Sequence, residues 1–173
     1  MTRDDILTAA LTLLDEGGGQ GLTMRSLATR LGVTPMSLYH HVEDRAGLLR
    51  ALSDRVYAGV LEGAGESADR RSEIHAILTR YHDAVRRHPQ LTLAIFASPE
   101  AFAGVTRQIT DRLTALLEEV TTQPRLWRDI LIDHAHGSGL PPSASLERQE
   151  EAWTIQEQYR QSLDCLLDCL AAR

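Results

Sequence analysis

The stretch TMRSLATRLGVTPMSLYHHVEDRAGLL, residues 23–49, leaves a chain few ways to fold. Met24, Leu27, Ala28 and Leu31 fall at i, i+3, i+4 and i+7, the stripe of a short helix with one buried face, and Thr23 can cap its start. Gly32 is the residue type that accepts the left-handed conformation closing a helix, and Val33 gives the turn an apolar anchor. Thr34 and Pro35 then open a second helix, with a hydroxyl to accept an orphan N–H and a proline whose missing donor costs nothing there. Leu38 and Val42 serve the core of that second helix; Met36, Ser37, Tyr39, His40 and His41 are left for other faces. Two short helices joined by a tight glycine turn form the helix-turn-helix pattern, whose second helix can enter the major groove of DNA. A plain antiparallel helix pair inside a bundle has the same spacing.

Charge is compatible with the first reading without deciding between them. The formal net charge of −6 speaks against a nucleic-acid partner until its distribution is drawn. Residues 23–50 hold Arg25, Arg30, Arg45 and Arg50 against Glu43 and Asp44, with His40 and His41 able to add positive charge, while the other fourteen arginines face twenty-two acids. An acidic body with a basic tip suits a protein that touches DNA at one end. The sequence contains no lysine, which excludes a P-loop lysine, a lysine Schiff base and a pyridoxal-phosphate site.

The rest of the 173 residues reads as helices with no internal repeat. A first helix spans 3–16, with Ile6, Ala10, Leu13 and Leu14 on one face, and the glycine cluster at 17–21 reads as the loop ending it. A connector of about fifteen to eighteen residues starts at Glu43 or Asp44 and carries Leu48, Leu49, Leu52, Val56, Val60 and Leu61. GAGESAD, residues 63–69, is the best boundary in the chain. A helix over 70–88 turns Ile74, Ile77, Leu78, Tyr81 and Val85 inward and stops at Pro89, and LTLAIFA adds a helical turn or two. Ser98-Pro99-Glu100 reads as a helix start, for a helix carrying Phe102, Val105, Ile109, Leu113, Leu116, Leu117 and Val120. Pro124 opens another, ending at Gly137-Ser138-Gly139, and after the loop LPPSAS a last helix runs over 146–171. Cys165 and Cys169 lie on one side of that helix, where a disulfide would be strained, and read as reduced, partly buried thiols. No run of 18 apolar residues exists and the first residues carry acids, so a cytoplasmic chain is expected.

LTMRSLATRLGVTPMSLYHHVEDRAGLLRAL resembles the DNA-binding domain of the Tet-repressor family, over roughly residues 5–55. The resemblance implies an all-α fold: an N-terminal three-helix DNA-binding domain over 1–50, then a helical effector-binding and dimerisation domain over 51–173. Carried over residue by residue, it implies that Arg25, Met36 and Ser37 face base edges, that Tyr39, His41 and Arg45 meet phosphates with Thr23 and Thr34 adding hydroxyl contacts, and that His40 does either. It implies a homodimer through the helices at 125–136 and 146–171, which Trp153 supports because it lies opposite the apolar stripe of the last helix. It also implies a small-molecule effector that releases a dimeric repressor from a palindromic operator; the candidate lining is His75, Tyr81, His82, Phe96, Phe102, Trp127 and His134. No cofactor, no metal and no membrane partner is expected. The rival class is an all-α enzyme or ligand-binding module without DNA binding; against an enzyme stands the absence of HExxH, GxSxG and any glycine-rich strand-turn-helix.

Overall fold

The structure, a computed structural model, describes residues 1–65, 69–140 and 149–171, and the side chains of the last helix over 155–170. The described residues are helical, without a strand, in two compact units: residues 1–57 with 88–106, and residues 58–87 with 107–173. This compact division differs from the boundary expected after residue 50. Residues 66–68 of the expected boundary segment, the loop at 141–145 and the Trp153 side chain lie outside what is described. Among the described residues no helix is long and apolar enough to cross a membrane.

In the first unit, α1 (Arg3–Gly21) opens with Thr2 accepting from the Asp5 N–H and Asp5 accepting from the Thr2 N–H. The glycine cluster is not the loop expected of it. Helical hydrogen bonding continues to Gly21 across a break at Gly18, whose φ of 62° and ψ of −168° only glycine adopts readily. α2 (Met24–Leu31), α3 (Pro35–Tyr39), α4 (Arg45–Val56) and α6 (Pro89–Phe96) complete this unit around Ile6, Ala10, Leu14, Leu27, Leu38, Leu48, Leu49, Leu52 and Leu91. The connector is shorter than expected: α4 ends at Val56, and Val60 and Leu61 belong to a separate 3-10 turn, Ala58–Leu61. Tyr57, 1% exposed, leaves the helix at φ −96°, ψ 5°, and its hydroxyl is 2.8 Å from that of the buried Thr92. Ser98-Pro99-Glu100 starts only a 3-10 turn, Pro99–Ala101; Ser98 makes no cap bond, and Phe102 is 50% exposed. α7 (Val105–Glu118) begins after Gly104, where φ is 59°.

The second unit holds α5 (Arg70–Arg87), α8 (Pro124–Gly139), α9 (Gln149–Ala171) and most of α7. Its core is Ile74, Ile77, Leu78, Val85, Leu113, Leu116, Leu117, Leu131, Leu163 and Leu167. Glu73, 3% exposed, takes hydrogen bonds from Arg112 at 2.9 and 2.5 Å and from the Gly65 N–H at 2.8 Å. Burial pushes its carboxyl up, but these donors and the nearby Arg70 outweigh that, so it sits below the ordinary glutamate value.

Candidate nucleic-acid interface

The helix-turn-helix is built by short-range bonds. Thr23 Oγ1 accepts from the Ser26 N–H at 3.0 Å and Ser26 Oγ accepts from the Thr23 N–H at 3.0 Å, a reciprocal cap on α2. Sequence reasoning missed Ser26, although the serine three residues after a capping threonine was the available signal. Gly32 closes α2 in the left-handed region, φ 66°, and the Val33 N–H returns to the Ala28 carbonyl at 3.0 Å. Thr34 Oγ1 accepts from the Ser37 N–H at 3.3 Å and lies 3.0 Å from Ser37 Oγ. Leu38 and Val42 are buried, which fixes the roll of α3.

That roll leaves one row outside. Met36 is 68% and Tyr39 46% exposed, Thr23, Arg25, Thr34, His40 and His41 are exposed, and Ser37 is half-buried. Neither Ser37 nor His40 is sealed into the core. Arg30 is occupied at 2.5 and 3.0 Å by Glu16, tying α2 to α1. Arg45 also faces inward: Nε donates to the Leu22 carbonyl at 3.2 Å and Nη2 to the Gly19 carbonyl at 3.0 Å. Apart from Arg45, whose guanidinium is spent on backbone, and the half-buried Ser37, the candidate residues form an exposed surface of donors, a thioether and a phenol. Such a surface can meet base edges and phosphates.

The predicted effector residues are divided between the units. Phe96, 53% exposed, and Phe102, 50% exposed, belong to the first unit. Within the second unit, the fully buried His82 stacks on Tyr159 with ring centroids 3.7 Å apart, and His134 stacks on the same ring at 5.2 Å. His134 Nε2 is 2.7 Å from Ser162 Oγ, and the Tyr81 hydroxyl is 2.7 Å from His136 Nε2. Tyr159, the ring shared by the stack, shows in the sequence only as part of an apolar stripe. Its hydroxyl donates to the Leu78 carbonyl at 3.2 Å, and burial first, then the Asp83 charge, pushes its pKa up. Burial and the neighbouring His82 lower His134; burial lowers His136 against the opposing pull of Asp133. His75 lies 3.8 Å from Asp164, and Trp127 lines a cleft of about 340 Å³ with Val120, Thr121 and Leu170.

Residues 6–52 match the family model described as bacterial regulatory proteins, tetR family. The chain is 36% identical over 97 residues to the tetracycline repressor protein class D of Escherichia coli, covering 51% of this chain and 44% of that protein. It therefore spans less than half the length of that curated relative. The solved structure of Mycobacterium smegmatis BioQ is similar with a TM-score of 0.78 and 28% identity, over 99% of this chain and 98% of that one. BioQ solved with its natural double-stranded DNA operator is similar at 0.72 and 28%, over 100% and 99%.

Proposed function

We propose that this chain, which belongs to the tetR family of bacterial regulatory proteins, is a transcriptional repressor that binds a palindromic operator as a homodimer. Residues 1–50 serve as its DNA-binding head and residues 51–173 as its effector-binding and dimerisation body. The observation that carries the reading is the exposed row from Arg25 through Met36 and Tyr39 to His41, on a helix pair whose inner face is anchored by Leu27, Leu38 and Val42. Arg25 and the start of α3 read bases; Tyr39, His40, His41 and the hydroxyls of Thr23 and Thr34 hold phosphates. Arg45 acts one step back, by fixing α4 against the end of α1.

A recognition helix of five residues buries too little surface for specific binding by one copy. Two copies held through α8 and α9 place two such helices on half-sites about one turn of duplex apart. In support, α8 exposes Leu126, at 54%, and Ile130, at 37%, and α9 exposes Ile155, at 37%. The relative named a tetracycline repressor, and the polar aromatic stack of His82, Tyr159 and His134 in the helical unit, support release by a small molecule.

The test is a gel shift on duplex fragments selected from the host genome by the wild-type protein. Arg25→Ala is expected to weaken binding by about 1–3 kcal/mol, roughly five- to 150-fold, and Tyr39→Phe by a smaller factor across all bound sequences. If both variants fold and bind as the wild type does, this row is not the interface.

A further inference from the structure

The only cysteines of the sequence, Cys165 and Cys169, are free thiols exposed on α9. Cysteine is among the residue types most often buried, and partial burial is what the sequence led us to expect. Two at solvent on one helix call for a physical account. Four residues apart, they project from the same side one turn from each other, with Cβ atoms about 5–6 Å apart. A disulfide needs Cβ atoms about 3.5–4.5 Å apart, so the pair does not close on itself while the helix is intact. A cation between two sulfurs needs a longer reach: metal–thiolate bonds of about 2.3 Å each place the sulfurs up to about twice that distance apart, within range of this pair.

The surroundings select the kind of cation. Ile155, Gln158, Ser162, Cys165 and Cys169 follow one another at spacings of three and four along α9, a stripe without a charged side chain. Asp168, three residues from Cys165, and Asp164 are the nearest acids, and both bond Arg71 Nη2, at 2.7 and 3.3 Å respectively. Hard oxygen ligands are thus committed elsewhere. Among the described residues no group of three or more histidines, cysteines or acids is gathered for a metal. The pair therefore suits an ion content with two thiolates, and soft thiolate ligands select the Cu(I) class.

We propose that Cys165 and Cys169 form a two-thiolate site for a soft, thiophilic cation of the Cu(I) class. Binding replaces two S–H protons by one metal ion and releases both protons to solvent, with no change of oxidation state. The site is carried by one copy of the chain and does not depend on the DNA-binding reading. Should α9 also meet its symmetry mate, two pairs share the seam.

The experiment titrates the reduced, full-length protein, without oxygen, into Cu(I) held by the coloured chelator bicinchoninate, and follows loss of the colour. Wild type is expected to withdraw one ion per chain, or one per two chains if copies share it. Cys165→Ser and Cys169→Ser are each expected to withdraw none. Both thiols are exposed on the single chain and serine differs from cysteine by one atom, so the variants keep the wild-type helical circular dichroism and melting temperature, which separates loss of the site from loss of the fold. A wild type that leaves the chelator loaded overturns the proposal, as do serine variants that strip it equally well.

Discussion

Arg45 shows how much a single guanidinium can settle. Its two bonds reach carbonyls at the end of α1, where helical geometry leaves C=O groups without partners, and they fix the start of α4 next to the cap of α2. A half-buried arginine donating to two such carbonyls contributes charge-assisted hydrogen bonds that alanine cannot replace. Arg45→Ala is expected to lower stability by about 1–3 kcal/mol, read as a lower urea midpoint at unchanged slope. An unchanged midpoint would make Arg45 the free phosphate-binding charge that the family pattern alone implies. Arg25, exposed, is the opposite case: its loss should leave the urea midpoint alone and appear only with DNA.

At the level of elements, the helix-turn-helix is legible in the sequence because its signals are local. Thr23, Gly32 and Thr34-Pro35 act within four residues of themselves, and each does in the structure what its chemistry dictates. Local signals mislead where a tertiary contact or a backbone break decides. Gly18 absorbs a kink that lets α1 run through the glycine cluster, Tyr57 ends α4 while packed against Thr92, and the Ser98-Pro99 start yields a single turn before Gly104. Of the effector candidates, Tyr81, His82 and His134 gather in one unit, but only the crossing of α5, α8 and α9 puts the Tyr159 ring between two histidines.

That crossing carries a pH dependence. His134 and His136 are held below the ordinary histidine value, so the unfolded chain takes up protons more readily than the folded one. The stability they contribute is complete above the ordinary value, about 6.5, and is lost as pH falls through the lower, folded values. Glu73, also lowered, adds the same sign further down, in the carboxylate range. The melting temperature is expected to fall on acidification from about pH 7.5 to about pH 5.5, and His134→Gln to flatten that slope. A melting temperature that rises with acid would contradict this account of the core.

For the whole molecule, the central matter is a chain of net charge −6 whose proposed DNA-facing row carries the exposed Arg25 together with His40 and His41, while Arg30 and Arg45 are engaged within the fold. Attraction from arginine and histidine near the duplex must prevail over repulsion from the acidic remainder, and phosphate contacts of this kind displace counterions. The dimer proposed above, making a handful of contacts per half-site, should bind its selected duplex with an affinity that falls linearly, on logarithmic axes, with salt, by about 0.9 of a decade per decade of salt for each phosphate contact. The most direct measurement is therefore fluorescence anisotropy of that labelled duplex across a salt series. The account predicts a slope of several units that becomes shallower in Arg25→Ala; no binding at low salt, or binding indifferent to salt, would contradict it.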